Sequence, residues 1–134
     1  APFDEFAFDD VRYTALPVTH APGTYGYLME GPSGRRTFYA SDTGALPPET
    51  AERVRGADAL IMDATFWGRN WSPGAHHSVQ ETIEEGLALG AGTIYLTHLA
   101  MHYDTPITLA ELEARLESYD GRVRCAADGL TILL

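Results

Sequence analysis

The run Thr93-Ile94-Tyr95-Leu96-Thr97, entered through Gly90-Ala91-Gly92 and left through His98, constrains this chain most. So short a run of β-branched and apolar residues between turn signals reads as a buried strand. A histidine where such a strand opens into a loop is placed for ligand or proton work. The pattern recurs upstream: Val18-Thr19-His20 and Ala40-Ser41-Asp42 each bring a polar side chain to a strand end, and His76-His77 precede a helix. Side chains gathered from strand ends and helix starts are how an α/β scaffold builds a site.

The rest of the chain fits that scaffold. Residues 6 to 18 read as one or two strands, with Val11 to Leu16 the stronger, broken by His20-Ala21-Pro22-Gly23. Tyr25 to Glu30 and Arg36 to Ala40 read as an antiparallel hairpin around the turn Gly31-Pro32-Ser33-Gly34. Pro47-Pro48-Glu49 opens a short helix that ends by Gly56, and Ala59 to Asp63 forms a further strand. Ser78 and Glu81, then Thr108 and Glu111, are capping boxes, in which each side chain satisfies the other residue's free backbone N–H. Val79, Ile83 and Leu87 supply the apolar face of the first helix, and Leu109, Leu112 and Leu116 that of the second. Val123 to Ala126 and Leu130 to Leu134, joined by Asp128-Gly129, read as a closing hairpin. The order predicts an α/β layered domain, taken as a single unit over residues 1–134.

Charge and cysteine usage bound the function. A formal charge of -10 leaves no excess of cation to displace counterions from phosphate, so a sequence-independent grip on nucleic acid is not expected. All nine cations are arginines, spread along the chain. Cys125 is the only cysteine, which excludes an internal disulfide and suggests a reducing, cytoplasmic setting; within a strand it reads as a small hydrophobe rather than a nucleophile. No tract spans a bilayer and no basic-then-apolar leader follows Ala1, so neither membrane insertion nor a secretory signal is expected.

Histidine nitrogens and carboxylate oxygens are ligands for zinc and related divalent ions, and His20, Asp42 and His98 each stand where a strand ends. His76 lies just outside a helix N-terminus, where an anion is favoured. His77 is expected at the solvent or capping the helix. Asp63 either braces a ligand histidine or forms a turn. Trp67, Trp71 and Tyr103 either wall a ribose or base or anchor their loop by burying ring area. His102, soon after His98, is a candidate for the site mouth.

Together, Thr19-His20-Ala21-Pro22-Gly23-Thr24-Tyr25-Gly26-Tyr27, Tyr39-Ala40-Ser41-Asp42-Thr43-Gly44, Ala57-Asp58-Ala59-Leu60-Ile61-Met62-Asp63, His76-His77-Ser78-Val79 and Tyr95-Leu96-Thr97-His98-Leu99 resemble the downstream half of metallo-β-lactamase-fold hydrolases. They most resemble the phosphodiesterases of phosphonate degradation that open cyclic ribose phosphates. Intervals of 22, 34 and 22 residues linking His20, Asp42, His76 and His98 suit that family. The resemblance implies half of an αββα sandwich: a mixed, largely antiparallel sheet with helices on one face. It also implies two divalent metal ions, zinc or manganese, with His20 on one, His98 on the other and Asp42 bridging both. His76 would act as general acid toward a small phosphodiester attacked by a metal-bridging hydroxide.

The chain contains no His-x-His-x-Asp-His run, the signature that supplies most metal ligands in this fold. It therefore reads as the C-terminal portion of a longer enzyme, inactive alone and holding metal incompletely. An upstream half, or a second copy, is expected to cover a sheet face otherwise exposed. Another hydrolase of the same fold (a lactonase, thioesterase or RNA-processing nuclease) and a non-catalytic half-domain are the alternatives.

Overall fold

The computed structural model describes residues 1–99 and 105–134, together with the backbone of His102 and Tyr103. Two strands, β1 (Glu5–Phe8) and β2 (Val11–Pro17), form a hairpin whose central residues Asp9 and Asp10 take φ of 48° and 64°. Positive φ at both positions matches the twist of the strands it joins. β3 (Tyr25–Glu30) and β4 (Arg36–Ala40) pair antiparallel as expected.

From β4 onward the chain alternates helices and strands: α1 (Pro48–Val54), β5 (Ala59–Asp63), β6 (Phe66–Trp67), α2 (Val79–Ala88), β7 (Thr93–Thr97), β8 (His102–Tyr103), α3 (Leu109–Leu116) and β9 (Val123–Cys125). Both capping boxes are formed, Ser78 with Glu81 at α2 and Thr108 with Glu111 at α3. Seven strands make one sheet in the order β1-β2-β3-β4-β5-β7-β9, and β6 pairs with β8 alongside. The sheet is mixed, but antiparallel pairing holds only as far as β4; β4, β5, β7 and β9 are parallel. The cause is the three helical crossovers, since a strand reached through a helix returns in the same direction.

Those crossovers step one way across the sheet, and their common right-handedness puts α1, α2 and α3 on one face. On that face Leu28, Phe38, Leu60, Ile94 and Val123 stand side by side on five neighbouring strands, none more than 5% exposed. Val54, Val79, Ile83, Leu112 and Leu116 bury against them. On the other face the alternate residues Tyr27, Tyr39, Ile61, Tyr95 and Arg124 form the facing row, extended by Phe6, Tyr13 and Met29. Phe6, Tyr27 and Tyr39 remain 51%, 38% and 42% exposed.

The turn at Asp128-Gly129 forms, with Gly129 at φ 84°, but no strand follows it. β9 offers only three residues of edge to pair with, and the tail instead ends at Gly31, where a Cβ would overlap Leu134. Among the described residues, no helix is long and apolar enough to cross a membrane.

Candidate metal centre

β2, β4, β5 and β7 all run toward the same edge of the sheet. The segments leaving them therefore meet there, as ligand-binding segments do in open α/β sheets. His20 follows β2, Asp42 follows β4, Asp63 ends β5 and His98 follows β7. His98 takes the left-handed conformation, φ 55°, which most L-residues avoid and which here turns the chain directly after the strand.

His76 comes in from the loop before α2 and sits between the other two histidines. Its ring centroid is 5.1 Å from that of His20 and 5.4 Å from that of His98. Gly44 permits this approach, because a Cβ there would overlap the carbonyl oxygen of Pro73 in the incoming loop. Asn70 fastens the loop, donating to the His76 carbonyl at 2.8 Å and to Glu81 Oε2 at 2.7 Å. Burial pushes the Glu81 carboxyl up, but hydrogen bonds from Ser78 and Asn70 and the nearby His77 outweigh it and hold the group below the usual range.

The ligand atoms of His20, Asp42 and His76 lie within 4.8 Å of one another, and so do those of Asp63, His76 and His98. His98 Nε2 is 3.6 Å from Asp42 Oδ1, which puts the Asp42 carboxylate beside both groups. Imidazole nitrogens and carboxylate oxygens are a donor set that zinc and manganese accept, so these residues fit a divalent cation. Ser41 donates to Asp42 Oδ2 at 2.6 Å, which orients the carboxylate.

Asp63 lies beneath this group and is fully buried. Its Oδ2 accepts from the Thr43 backbone N–H at 3.0 Å and faces His76 Nδ1 at 2.7 Å. Its Oδ1 accepts from the Thr65 N–H at 2.8 Å and the Thr65 hydroxyl at 2.6 Å. The same hydroxyl lies 2.6 Å from His98 Nδ1. Asp63 thus stands against His76 directly, and Thr65, which the sequence reading passed over, stands between Asp63 and His98. A readable signal existed: an aspartate bonding the backbone two residues on is an Asx-turn pattern.

Other candidates fall elsewhere. His77 is buried, not solvent-facing, because its Nε2 meets Glu85 Oε2 at 2.8 Å while Glu85 also accepts from Leu46 N–H. Trp67, a candidate substrate wall, lies partly buried against the core and lines a groove with α2 and α3, with the Arg115 guanidinium 5.5 Å from its ring centroid. The anchoring reading fits that position. Trp71 is exposed and stacks under Arg69. The side chains of His102 and Tyr103 lie outside the described residues. Burial, with Glu113 nearby, pushes the Cys125 thiol up to about 11, which leaves it protonated and unreactive near neutrality.

The model of the Beta-lactamase superfamily domain family matches residues 1–99. Ribonuclease Z of Haloarcula marismortui is 36% identical over 101 residues, covering 72% of this chain and 32% of the relative. Among solved structures, a diphosphatase of the PhnP family superposes with a TM-score of 0.77 at 22% identity, over 100% of this chain and 47% of that one. Zn(2+)-bound PqqB from Methylobacterium extorquens superposes with a TM-score of 0.75 at 21% identity, over 100% and 51%. The chain spans about a third of the length of the relative matched by sequence and about half of those matched by structure. The likeness to solved structures establishes the metallo-β-lactamase fold.

Proposed function

This chain belongs to the beta-lactamase superfamily, and from that premise we propose that it is the downstream half of a metal-dependent phosphodiesterase acting on a small, cyclic phosphodiester. The observation that carries this reading is the convergence of His20, Asp42, His76 and His98 at one sheet edge, around a carboxylate 3.6 Å from His98 Nε2. His20, Asp42 and His98 would hold the metal ions. Two divalent ions there, zinc or manganese, would supply Lewis acidity toward the phosphoryl oxygens and lower the pKa of attacking water. His76 does the proton work: Asp63 holds its Nδ1, which leaves Nε2 to protonate the leaving oxygen.

Three ligands shared by two ions leave both under-coordinated, so the chain alone is inactive and holds metal weakly. The missing donors come from an upstream His-x-His-x-Asp-His half, or from a second copy, seated on the Tyr27-Tyr39-Tyr95 face. A charge of -10 favours a small substrate over a long polyanion. The 36% identity with a ribonuclease Z supports an RNA-processing nuclease of the same fold as the second reading.

The test is metal content, mass in solution and hydrolysis of a bis-aryl phosphodiester, measured on the chain alone and on the chain joined to an upstream half of this fold. The chain alone should hold less than two metals and show no turnover; the joined protein should gain both. His76→Ala should then lower kcat by about 10²–10⁴-fold with metal content unchanged. Loss of metal in that variant would make His76 a ligand instead. A joined protein that holds two metals but leaves phosphodiesters intact would overturn the reaction class, and preference for a precursor tRNA over a cyclic phosphodiester would favour the second reading.

A further inference from the structure

The Thr65 side chain has neighbours that constrain where its proton and its neighbours' protons lie. The residue is 3% exposed, and its hydroxyl sits 2.6 Å from both Asp63 Oδ1 and His98 Nδ1. Each Asp63 oxygen already accepts from a backbone N–H, from Thr65 on one side and Thr43 on the other, so the carboxylate acts here as an acceptor. The hydroxyl has one proton, and a carboxylate accepts only. That proton therefore goes to Asp63. Toward His98 the hydroxyl can then only accept, which requires the proton of the neutral ring to be on Nδ1. The lone pair of His98 is left on Nε2, the nitrogen 3.6 Å from Asp42.

We infer that Thr65 is a positioning residue which, by relaying Asp63 to His98, fixes the His98 tautomer that presents Nε2 to the Asp42 side of the site. Rested on the metal-centre reading above, this makes Thr65 the group that holds a ligand nitrogen ready for a cation. His76 needs no such relay. Its Nδ1 meets Asp63 Oδ2 at 2.7 Å and lies 3.4 Å from the Thr65 hydroxyl. One buried carboxylate thus sets two imidazoles by two routes, one direct and one through a hydroxyl. Valine at position 65 keeps the shape and removes the relay, whereas serine keeps it.

The experiment is long-range ¹H–¹⁵N correlation of the histidine rings in the 134-residue chain at mildly alkaline pH, for the wild type, Thr65→Ser and Thr65→Val. In the wild type and Thr65→Ser, His98 should show an N–H-type Nδ1 and a lone-pair-type Nε2. In Thr65→Val that pattern should give way to a mixture for His98 while persisting for His76. Titration with Zn(II) alone should show affinity weakened by about 10–100-fold in Thr65→Val and restored in Thr65→Ser. A wild-type His98 whose proton is on Nε2 overturns the inference, and so does an unaltered His98 pattern in Thr65→Val. If the valine variant does not fold, the wild-type pattern decides alone. A chain with the stated tautomer but no zinc binding at all would leave the relay standing and remove the metal reading instead.

Discussion

The two faces of the main sheet are made by the same strands and end in opposite states. Leu28, Phe38, Leu60 and Ile94 point toward the helices and are buried; Tyr27, Tyr39 and Phe6 point the other way and stay well exposed. Strand alternation makes both faces apolar, yet among the described residues only one has a covering layer, in α1, α2 and α3. The candidate site is divided the same way. Its lower side, around Asp63, is satisfied from within by Thr43, Thr65 and His76. Its upper side, where His98 and Asp42 are 43% and 37% exposed, is open. Completion from within marks what this chain does for itself, and openness marks where the proposed upstream half would sit.

The sharpest way to break the comparison is to truncate one residue on each face. Leu60→Ala should cost about 2–5 kcal/mol in denaturant unfolding, because it opens a cavity among fully buried neighbours. Tyr39→Ala in the isolated chain should cost only roughly 0.5 kcal/mol, since its ring is already partly in water. Equal losses would mean that the tyrosine face is covered in solution.

Association gives a smaller effect on the same point. If the open face is the docking surface, Tyr27→Ser should weaken self-association or binding of an upstream half by about tenfold, read by light scattering across a concentration series. An unchanged dissociation constant would place the contact elsewhere.

The smallest effect concerns the loop that carries His76. Glu81 has a folded-state pKa below its ordinary value of 4.5, so it contributes stability that is present above that value. The contribution fades as pH falls through the lower, folded pKa. Wild-type stability should therefore drop more steeply below about pH 4.5 than that of Glu81→Gln, with the two profiles parallel at neutral pH.

The elements that depend on local pattern were legible in the residues. Both capping boxes, the β3–β4 hairpin and the strand leading to His98 need only spacing and side-chain type, and they are where they were expected. The convergence of His20, Asp42, His76 and His98 was suggested by the motifs and needed the topology to bring them together. Pairings across elements were not legible. His77 was expected at the solvent or capping the helix start; its burial rests on Glu85, two turns along α2. Trp67 was weighed as a site wall or a loop anchor, and the α2–α3 groove that it lines exists only in three dimensions. The tail after Asp128-Gly129 carried a strong hairpin signal, which a three-residue edge strand could not use.

The Asp63 carboxylate also has a temporal consequence. Its donors come from Thr43 after β4, from Thr65 after β5 and from His76 just before α2. A fully buried charge is costly while any of these is missing. The segments bearing Asp42, Thr65 and His76 therefore lock as one cooperative unit rather than one by one, and the amide protons of Thr43 and Thr65 act as paired clocks, both exchanging when that lock opens.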